Sequence, residues 1–477
     1  MSNLAKAIYD SWSKPVSNTT FLCDNDYSIN FSQFLNLVGL RSKALNISRG
    51  QKALVSSRRG LCFFVDLFAV WAAGGIVIPF DPQEGENHRC ALLKIADVDL
   101  VIEDLYELTS ANKSDIRYTD ISINDTCAIL FTSGSTGAPK GVELSLYSLL
   151  ENAKGILSRL NILNTRLLIN IPFHFTSAIC HFLACALSNS TLIGLESRLL
   201  YLDFIKEVIS HGPDGIGGAP IQCRWLADYC ESENGSSFDK LDFIISSGDH
   251  LPVTVINSLC SNLPSLKIYT VYGLTEVGGR FCVLQPEELD LHIGSVGKPI
   301  DKLSLTIVDP DEDTIKPIGC EGEIVISGEL LAKGYYRNIE ATSNSFTEHG
   351  FRTGDIGYID DAGFLYLKGR SGDIFKVNGK KVSGTRITQG LMDTGYFMDS
   401  AVISAEFPIF GTVPVAFVVL IPGLDFEKGK ILKDLRKLLP SNHIPHAFHV
   451  LSSIPRTGSG KAKLNELRLM LAQYNNH

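Results

Sequence analysis

Short apolar runs alternate with helix-like stretches over the first two thirds of the chain. The runs are strand candidates at residues 166–171, 191–195, 243–246 and 267–271. Because strands that alternate with helices build layered folds, this pattern predicts an α/β architecture. The stretch 61–80 is apolar enough to suggest a membrane span, but Asp66 and the pair Gly74-Gly75 interrupt it. We therefore predict a buried helix that leads into a buried strand.

The pattern changes near residue 303, where short alternating strands and turns predict a β-rich subdomain at about residues 300–370. A turn follows at Gly369-Arg370-Ser371-Gly372. Beyond it, strand candidates at 374–377 and 415–421 and a helix candidate at 428–439 predict a further α/β unit. We therefore expect an N-terminal core at residues 1–370 and a C-terminal domain at residues 371–477.

The composition favours a multidomain protein in a reducing compartment. A chain of 477 residues with 45% hydrophobic residues exceeds the size at which one core usually stops growing. Its 43 Lys and Arg residues against 52 Asp and Glu residues give a formal net charge of −9, which argues against nucleic-acid binding. The 11 cysteines lack metal-ligand or disulfide spacing, and no secretory signal is visible, so we expect a cytoplasmic protein.

A polar, glycine-containing loop follows the apolar run 127–131. In Phe131-Thr-Ser-Gly-Ser-Thr-Gly-Ala-Pro-Lys-Gly141, the glycines let the backbone turn tightly, and Lys140 adds a positive charge. The segment is not a Walker A loop, because Lys140 precedes a glycine instead of Ser or Thr. Ser145 begins a helix candidate, which gives the order strand, loop, helix. The loop chemistry suits a polyphosphate, and the candidate phosphate-binding residues are Thr132, Ser133, Gly134, Ser135, Thr136, Gly137 and Lys140. The alternative is an ordinary surface loop.

Further motifs follow in a fixed order: Val271-Tyr-Gly-Leu-Thr-Glu276, Gly322-Glu-Ile-Val-Ile-Ser-Gly328, Gly334-Tyr-Tyr-Arg-Asn338, Arg352-Thr-Gly-Asp355, Gly369-Arg370, Lys376-Val-Asn-Gly379 and Pro455-Arg-Thr-Gly-Ser-Gly-Lys461. With the loop above, the series resembles the adenylate-forming (ANL) superfamily of acyl-CoA synthetases, peptide-synthetase adenylation domains and luciferases. The resemblance spans nearly the whole chain. It implies a large α/β N-terminal domain with a β-rich subdomain, and a small, mobile α/β C-terminal domain.

The resemblance implies roles for the Tyr-Gly-Leu-Thr-Glu motif in a reaction of ATP with a carboxylic acid. Tyr272, followed by Gly273, is expected to stack on adenine. Thr275 is expected to donate to the α-phosphate and Glu276 to bind Mg²⁺, because a hydroxyl and a carboxylate beside a cation suit this transfer. Taken alone, the motif could also be a strand end followed by a helix N-cap.

The resemblance places the rest of the nucleotide site in later and intervening segments. Asp355 matches the carboxylate that accepts the ribose hydroxyls, and Arg370 matches the cation that reaches the ribose or phosphate. The loop Gly248-Asp249-His250 lies where the family lines the adenine. Each of these residues has an ordinary alternative as a turn or surface residue.

Two segments of the C-terminal domain are implied to act in turn. Lys461 matches the lysine that bridges the attacking carboxylate and the α-phosphate, while Lys140 and its loop neutralise the departing pyrophosphate. The domain then rotates about a hinge at Gly372, so that the Gly379 loop replaces Lys461 for acyl transfer. The chain departs from the family at both points: the hinge is usually Asp or Lys, and the family's Glu-Ile-Glu ending is here Arg386-Ile-Thr388.

The acid pocket is implied to include His174, which matches an aromatic or histidine gate; the alternative is a packed core histidine. Gly217 and Gly218 could leave room for an acyl or aryl group. Amino-acid-activating members usually carry an Asp near His174, and Phe-His-Phe-Thr-Ser offers none. A non-amino organic acid is therefore favoured, although the sequence does not identify it.

The predicted activity is that of an AMP-forming carboxylate ligase. ATP and an organic acid give acyl-AMP and pyrophosphate, and the acyl group passes to a thiol of coenzyme A or of the phosphopantetheine on an acyl or peptidyl carrier protein. Four alternatives stay open: an amino-acid adenylation enzyme, a P-loop kinase or ATPase that forms ADP, a luciferase-like oxygenase, and a weakened nucleotide-binding module.

Overall fold

The computed structural model describes residues 19–58, 60–103, 119, 122–132, 139–160, 162–195, 199–232, 235–377, 380–407, 411–456 and 462–474. Several predicted site residues lie outside these ranges: Ser133, Gly134, Ser135, Thr136, Gly137, Gly379 and Lys461.

The described residues form 24 strands and 12 α-helices. The strands are β1 Thr20–Cys23, β2 Ser28–Asn30, β3 Lys52–Ser56, β4 Ile76–Phe80, β5 Leu100–Ile102, β6 Thr126–Thr132, β7 Lys140–Ser145, β8 Arg166–Ile169, β9 Thr191–Gly194, β10 Gly215–Gly218, β11 Phe243–Ser247, β12 Lys267–Leu274, β13 Gly279–Leu284, β14 Lys298–Pro299, β15 Leu303–Val308, β16 Gly322–Gly328, β17 Phe346–Thr347, β18 Gly350–Ile359, β19 Leu365–Arg370, β20 Ile374–Val377, β21 Lys380–Ser383, β22 Phe397–Phe407, β23 Gly411–Leu420 and β24 Ala447–Val450. The helices are α1 Phe31–Leu45, α2 Cys62–Ala72, α3 Glu86–Ala96, α4 Leu146–Leu157, α5 Thr176–Leu187, α6 Tyr201–His211, α7 Pro220–Ser232, α8 Val253–Asn262, α9 Ile339–Ser345, α10 Gly384–Asp393, α11 Lys428–Leu438 and α12 Leu464–Tyr474.

Two layered sheets form the N-terminal core and confirm the predicted α/β fold. The larger has nine strands in the order β14-β13-β12-β11-β10-β8-β9-β1-β2, and the smaller has five in the order β5-β3-β4-β6-β7. Strands β8 to β12 run parallel to one another, so their carboxyl ends meet at one edge. Ligands of open α/β sheets bind at such an edge.

The predicted order strand, loop, helix around Lys140 is wrong in one respect. The chain returns from the loop as strand β7, which pairs antiparallel with β6 so that Thr132 faces Lys140, before α4 begins. Val142 and Leu144 are fully buried and alternate with more exposed neighbours, which is the period of a half-buried strand. The predicted helix start is confirmed, because the Ser145 hydroxyl accepts from the Ser148 N–H at 3.1 Å.

The apolar stretch 61–80 forms buried helix α2 and buried strand β4, as predicted. Asp66 is tolerated there because its carboxylate accepts from the Arg41 guanidinium of α1 at 2.7 Å. The Trp71 indole N–H donates to the Cys127 carbonyl at 2.9 Å, which ties α2 to β6. Within the described ranges, no helix combines the length and apolarity needed to traverse a bilayer.

The predicted β-rich subdomain is confirmed as a sheet in the order β15-β16-β18-β17, with β19 beside β18. Its apolar face joins the core of the N-terminal sheets, since Ile324, Ile326 and Leu365 belong to the same buried cluster as α2. The subdomain therefore has a fixed position over the larger sheet.

The residues after the 3₁₀ turn Ser371–Asp373 build a separate unit. A hairpin of β20 and β21 and a sheet in the order β22-β23-β24 pack with α10, α11 and α12. Their apolar side chains form two clusters of their own, one around Leu391 and Leu435 and one around Phe417 and Leu467. These clusters are separate from the core of the N-terminal sheets.

We predict that Asp66→Ala lowers the free energy of unfolding by about 3–5 kcal/mol, because it leaves the mostly buried Arg41 side chain without its closest carboxylate. Urea denaturation followed by tryptophan fluorescence measures the change. Asp203→Ala is the control, since Asp203 pairs with Lys206 at 3.7 Å with both side chains mostly exposed; its effect is expected to stay below about 1 kcal/mol. Equal effects of the two changes would contradict the prediction.

Candidate active site

Asp355 is the most constrained acidic residue of the candidate nucleotide site. It lies in β18 opposite Arg370 of β19, and its side chain is 6% exposed. One carboxylate oxygen accepts from the Arg370 Nε at 2.8 Å, and the other accepts from the Tyr272 hydroxyl at 2.5 Å. Burial opposes the charge of Arg370, but Asp355 raises the pKa of Arg370 above its ordinary value. The structure thus brings three predicted residues together.

Thr275 and Glu276 lie in a 3₁₀ turn that joins β12 to β13. The Thr275 hydroxyl accepts from the Thr176 hydroxyl of α5 at 3.1 Å. The buried Asn152 amide clamps the far side of the turn, donating to the carbonyls of Val277 at 3.1 Å and Arg280 at 2.6 Å. The turn is therefore held from two helices before any ligand binds.

Gly273 is required by the packing of the β12–β13 hairpin. It faces Arg280 across the strand pair, and a Cβ at this position would lie 2.1 Å from the Gly279 carbonyl oxygen. A side chain here would push the two strands apart and displace the turn that follows. The glycine of the motif thus allows the backbones of β12 and β13 to approach closely beside the turn.

Tyr335 connects Glu276 with Lys140. Its hydroxyl donates to a Glu276 carboxylate oxygen at 3.0 Å, and the Lys140 Nζ lies 5.3 Å from the centroid of its ring. Burial and the Glu276 carboxylate raise the pKa of Tyr335, so the hydroxyl keeps its proton. The Thr132 hydroxyl donates to the Lys140 carbonyl at 3.4 Å, so Thr132 lies at the same end of the β6–β7 pair as Lys140.

The charge pattern of this region suits Mg²⁺ bound mainly through phosphates. No group of three His, Cys, Asp or Glu side chains among the described residues could hold a metal ion by itself. Mg²⁺ commonly takes one or two protein carboxylates, with phosphate oxygens and water completing its shell. The single carboxylate of Glu276 fits that chemistry.

His174 is half-buried in the segment that follows the carboxyl end of β8. Its Nδ1 lies 3.3 Å from the Ser57 hydroxyl, and its buried Nε2 has no hydrogen-bond partner among the described residues. Burial lowers the pKa of His174 to about 4, so the ring is neutral at physiological pH. Its ring centroid is 4.2 Å from that of Phe175. The neutral ring therefore has an aromatic neighbour, while the charged groups Glu84, Asp81 and Arg58 act on it electrostatically.

The space beside Gly217 and Gly218 is filled by protein, which corrects the expectation that these glycines leave room directly for the acid. A Cβ on Gly217 would lie 2.7 Å from the His181 imidazole, and one on Gly218 would lie 3.3 Å from Gln222. The glycines therefore admit these two side chains over the end of β10.

The loop Gly248-Asp249-His250 follows β11 and faces the C-terminal unit. Gly248 has φ +98°, with no atom within 4 Å of a Cβ placed there. His250 Nε2 lies 3.8 Å from the Asp393 carboxylate of α10. Asp249 also acts electrostatically on Arg456. Arg456 and Ala462 form the β-bridge that flanks the Lys461 segment. Arg456 is thus the described residue before Lys461 that Asp249 acts on.

Sequence reasoning missed Tyr335, Thr176, His181 and Arg280. Tyr335 stood inside the quoted Gly-Tyr-Tyr-Arg-Asn motif, and its proximity to Glu276 comes from a strand-like crossing of residues 332–336 over β7. Arg280 was visible as a lone charge ahead of the apolar run Phe-Cys-Val-Leu. A charge that begins a buried strand is a usable signal of a polar site.

Two family models cover most of the chain. The model described as AMP-binding enzyme matches residues 10–336. The chain belongs to the AMP-binding enzyme family. The model described as AMP-binding enzyme C-terminal domain matches residues 394–461. These matches confirm the predicted superfamily and enzyme class, an AMP-forming acid–thiol ligase of the acyl-CoA synthetase type.

Curated relatives of this AMP-binding enzyme are ligases that use coenzyme A. 2-Succinylbenzoate–CoA ligases of Bacillus cytotoxicus and Bacillus velezensis are 25% and 28% identical, each over 90% of both chains. A 4-coumarate–CoA ligase of Narcissus pseudonarcissus is 27% identical over 77% of this chain and 68% of its own length. The chain is similar to these proteins over most of their length.

Solved structures confirm the fold of this AMP-binding enzyme. An anthranilate CoA ligase in complex with anthranoyl-AMP superposes with a TM-score of 0.86 at 20% identity, covering 99% of this chain and 98% of that one. The o-succinylbenzoate coenzyme A synthetase of Bacillus subtilis, in complex with ATP and magnesium ion, gives a TM-score of 0.83 at 21% identity over 98% and 99%.

We predict that Tyr335→Phe raises the Mg²⁺ concentration needed for half-maximal activity by about tenfold, because partners of a metal ligand commonly contribute 10–100-fold to metal affinity. The assay is pyrophosphate exchange at fixed ATP over a Mg²⁺ titration. Tyr336→Phe is the control, since the Tyr336 hydroxyl donates to the Ala96 carbonyl, at 3.5 Å. An unchanged Mg²⁺ dependence of Tyr335→Phe would rule out a role through Glu276.

We predict that His174 makes folding stability sensitive to mild acid. The folded pKa of about 4 lies below the ordinary 6.5, so the unfolded chain binds more protons between these values. The His174 contribution is present above pH 6.5 and is lost as pH falls toward 4. Between pH 7 and pH 5, wild type should lose about 2 kcal/mol more than His174→Gln in urea unfolding. Parallel losses would show that His174 titrates normally.

Proposed function

We propose that this chain activates an aromatic carboxylic acid with ATP and transfers the acyl group to coenzyme A. The observation that carries the proposal is the convergence of Tyr272, Asp355 and Arg370 with Thr275 and Glu276 at the carboxyl edge of the nine-stranded sheet. We take residues 1–370 as the adenylation core and residues 371–477 as the moving domain.

In the first step, a carboxylate oxygen of the acid attacks the α-phosphorus of ATP, and the bond to the β-phosphate oxygen breaks to release pyrophosphate. Asp355 accepts the ribose hydroxyls, with Arg370 holding the carboxylate in place, and the ring of Tyr272 packs beside the adenine. Thr275 donates to the α-phosphate. Positioning of this kind can supply much of the rate enhancement, because a reaction between two separate molecules becomes a reaction within one complex.

The leaving pyrophosphate requires positive charge on its own side. Glu276, supported by Tyr335, is the proposed protein ligand of Mg²⁺, which would neutralise the phosphates. Lys140 stands at the stem of the loop Thr132, Ser133, Gly134, Ser135, Thr136 and Gly137, the proposed cradle for the phosphates. Lys461 would complete the charge compensation from the C-terminal domain. The electrostatic effect of Asp249 on Arg456 supports this proposal, since Arg456 lies five positions before Lys461 in the chain.

The acid is proposed to be aromatic for two reasons. The relatives act on 2-succinylbenzoate and 4-coumarate, and one structural neighbour holds anthranoyl-AMP. The neutral His174 ring beside Phe175 also supplies flat, weakly polar surface on which an aryl group can pack. Gly217 and Gly218 contribute by seating His181 and Gln222 at the pocket edge.

In the second step, the thiol sulfur attacks the acyl carbon, the bond to AMP breaks, and the thiol proton leaves to solvent. The proposed route is a rotation about Gly372 that brings the Gly379 loop to the site. Gly372 has open space around it, so the backbone there can turn without a clash. Coenzyme A is the proposed acceptor because the similar proteins are CoA ligases. A carrier-protein thiol is the competing acceptor.

We predict that Lys461→Ala abolishes acyl-AMP formation, with a loss of about 100-fold or more in pyrophosphate exchange, because it removes a charge that stabilises the transition state. Lys463→Ala is a matched control two residues away, since Lys463 pairs at 2.7 Å with Glu466 on the surface. The exchange screen uses a panel of aryl, fatty and amino acids.

Product analysis tests the reaction class in the same samples. AMP and pyrophosphate are expected with coenzyme A present, together with the acyl-CoA thioester. Formation of ADP would contradict the proposal, as would full exchange activity of Lys461→Ala. Thioester formation only with a carrier protein would reassign the acceptor and leave the first step intact.

A further inference from the structure

A positive charge is buried near the acid pocket without a carboxylate partner. Arg280 is 2% exposed, and its Nε has no hydrogen-bond partner among the described residues. In the part of the chain that the structure describes, no Asp or Glu lies within ion-pair distance of it. The only hydrogen-bond partner recorded for its side chain there is the His181 Nε2. A buried guanidinium in this state is unusual.

The groups around Arg280 are all neutral. Burial and the charge of Arg280 lower the pKa of His181 well below its ordinary value, so the imidazole carries no proton charge. Burial raises the pKa of Cys180 to about 11 and of Cys185 to about 12, so neither thiol supplies a negative charge. Burial lowers the pKa of Arg280 itself only to about 10, which leaves it charged at neutral pH. The cluster therefore holds one uncompensated positive charge.

The backbone of Arg280 is held rigidly. Its N–H donates to the Asn152 side-chain oxygen at 3.1 Å, and its carbonyl accepts from the Asn152 amide at 2.6 Å. The preceding Gly279 has φ +126° and packs so closely that a Cβ would lie 2.5 Å from the Cys180 sulfur. The side chain therefore starts from a fixed backbone and contacts His181, which reduces the freedom it would lose on binding a ligand.

The charge lies on the acid side of the nucleotide site. His181, which contacts Arg280, also fills the space over Gly217 at the end of β10. On the same helix, Thr176 contacts Thr275, the proposed α-phosphate donor. His181 lies five positions after Thr176 on this helix, which corresponds to about 7.5 Å of rise. The Arg280 cluster and the reacting end of the acid are therefore about one small organic molecule apart.

We propose that Arg280, supported by His181, binds a second carboxylate on the acid substrate, at the end opposite the carboxylate that is activated. The inference rests on the proposed function and narrows it to acids with two negative groups. A guanidinium matches a carboxylate with two parallel hydrogen bonds, and such a pair would satisfy the orphaned Nε. Arg280 thereby determines specificity and takes no part in bond making.

The test compares acids that differ by one carboxylate. The full-length protein is assayed for AMP release, with ATP, Mg²⁺ and coenzyme A, on 2-succinylbenzoate and on its analogue without the ring carboxylate. A second pair is phenylpropanoate with and without an ortho carboxylate. For wild type, kcat/KM for the diacid is expected to exceed that for the monoacid by about 100-fold in at least one pair, because the monoacid leaves a buried polar group unpaired.

The variants ask whether Arg280 is the source of the preference. Arg280→Gln is expected to reduce kcat/KM for the diacid by about 100-fold and that for the monoacid by less than about threefold, so that the preference disappears. Arg280→Lys, which keeps the charge, should retain part of it. Arg159→Gln is the control, because the partly buried Arg159 donates to the Pro299 carbonyl and lies outside the site.

The outcomes separate this inference from the proposed function. Equal loss on both acids in Arg280→Gln, or a wild type that uses monoacids as well as diacids, overturns the role of Arg280 while the ligase reaction stands. If Arg280→Gln does not fold, the wild-type comparison decides, with a third acid in which the ring carboxylate is a neutral amide: activity on the amide equal to that on the diacid overturns the inference. Failure of every acid to yield AMP overturns the proposed function, and the inference with it.

Discussion

The Asp355 carboxylate, held between Tyr272 and Arg370, is the interaction on which the rest of the site depends. Its two partners come from different layers: Tyr272 lies near the end of β12 in the nine-stranded sheet, and Arg370 ends the last strand of the β-rich sheet. The three groups meet only if the smaller sheet docks on the larger one. The shared apolar core supplies that docking, so burial far from the nucleotide fixes the geometry beside it.

The turn Thr275–Val277, like Asp355, is held by contacts from several parts of the fold. Asn152, Thr176 and Tyr335 each contact the turn or its neighbours from a different element. None of the three was singled out from the sequence. Their role is to hold backbone and side chains that a ligand would otherwise have to order, which lowers the entropic cost of binding.

The fold class, the β-rich subdomain and the buried segment 61–80 could be predicted because apolar periodicity reports burial directly. The order of elements around Lys140 could not, because the pairing of β6 with β7 is set by a return strand whose register depends on contacts outside the loop. Gly217 was read as open space, and the structure fills it with His181, which lies far away in the sequence. Pairings such as Arg280 with His181 depend on how helices cross a sheet, and local patterns carry no record of that.

Arg370 stands two residues before the glycine at which the chain leaves the core, and its guanidinium is fastened to Asp355. The chain therefore enters the C-terminal unit from a residue that the Asp355 carboxylate holds in place. The ion pair that orders this edge of the β-rich sheet thereby also sets the direction in which the chain leaves it.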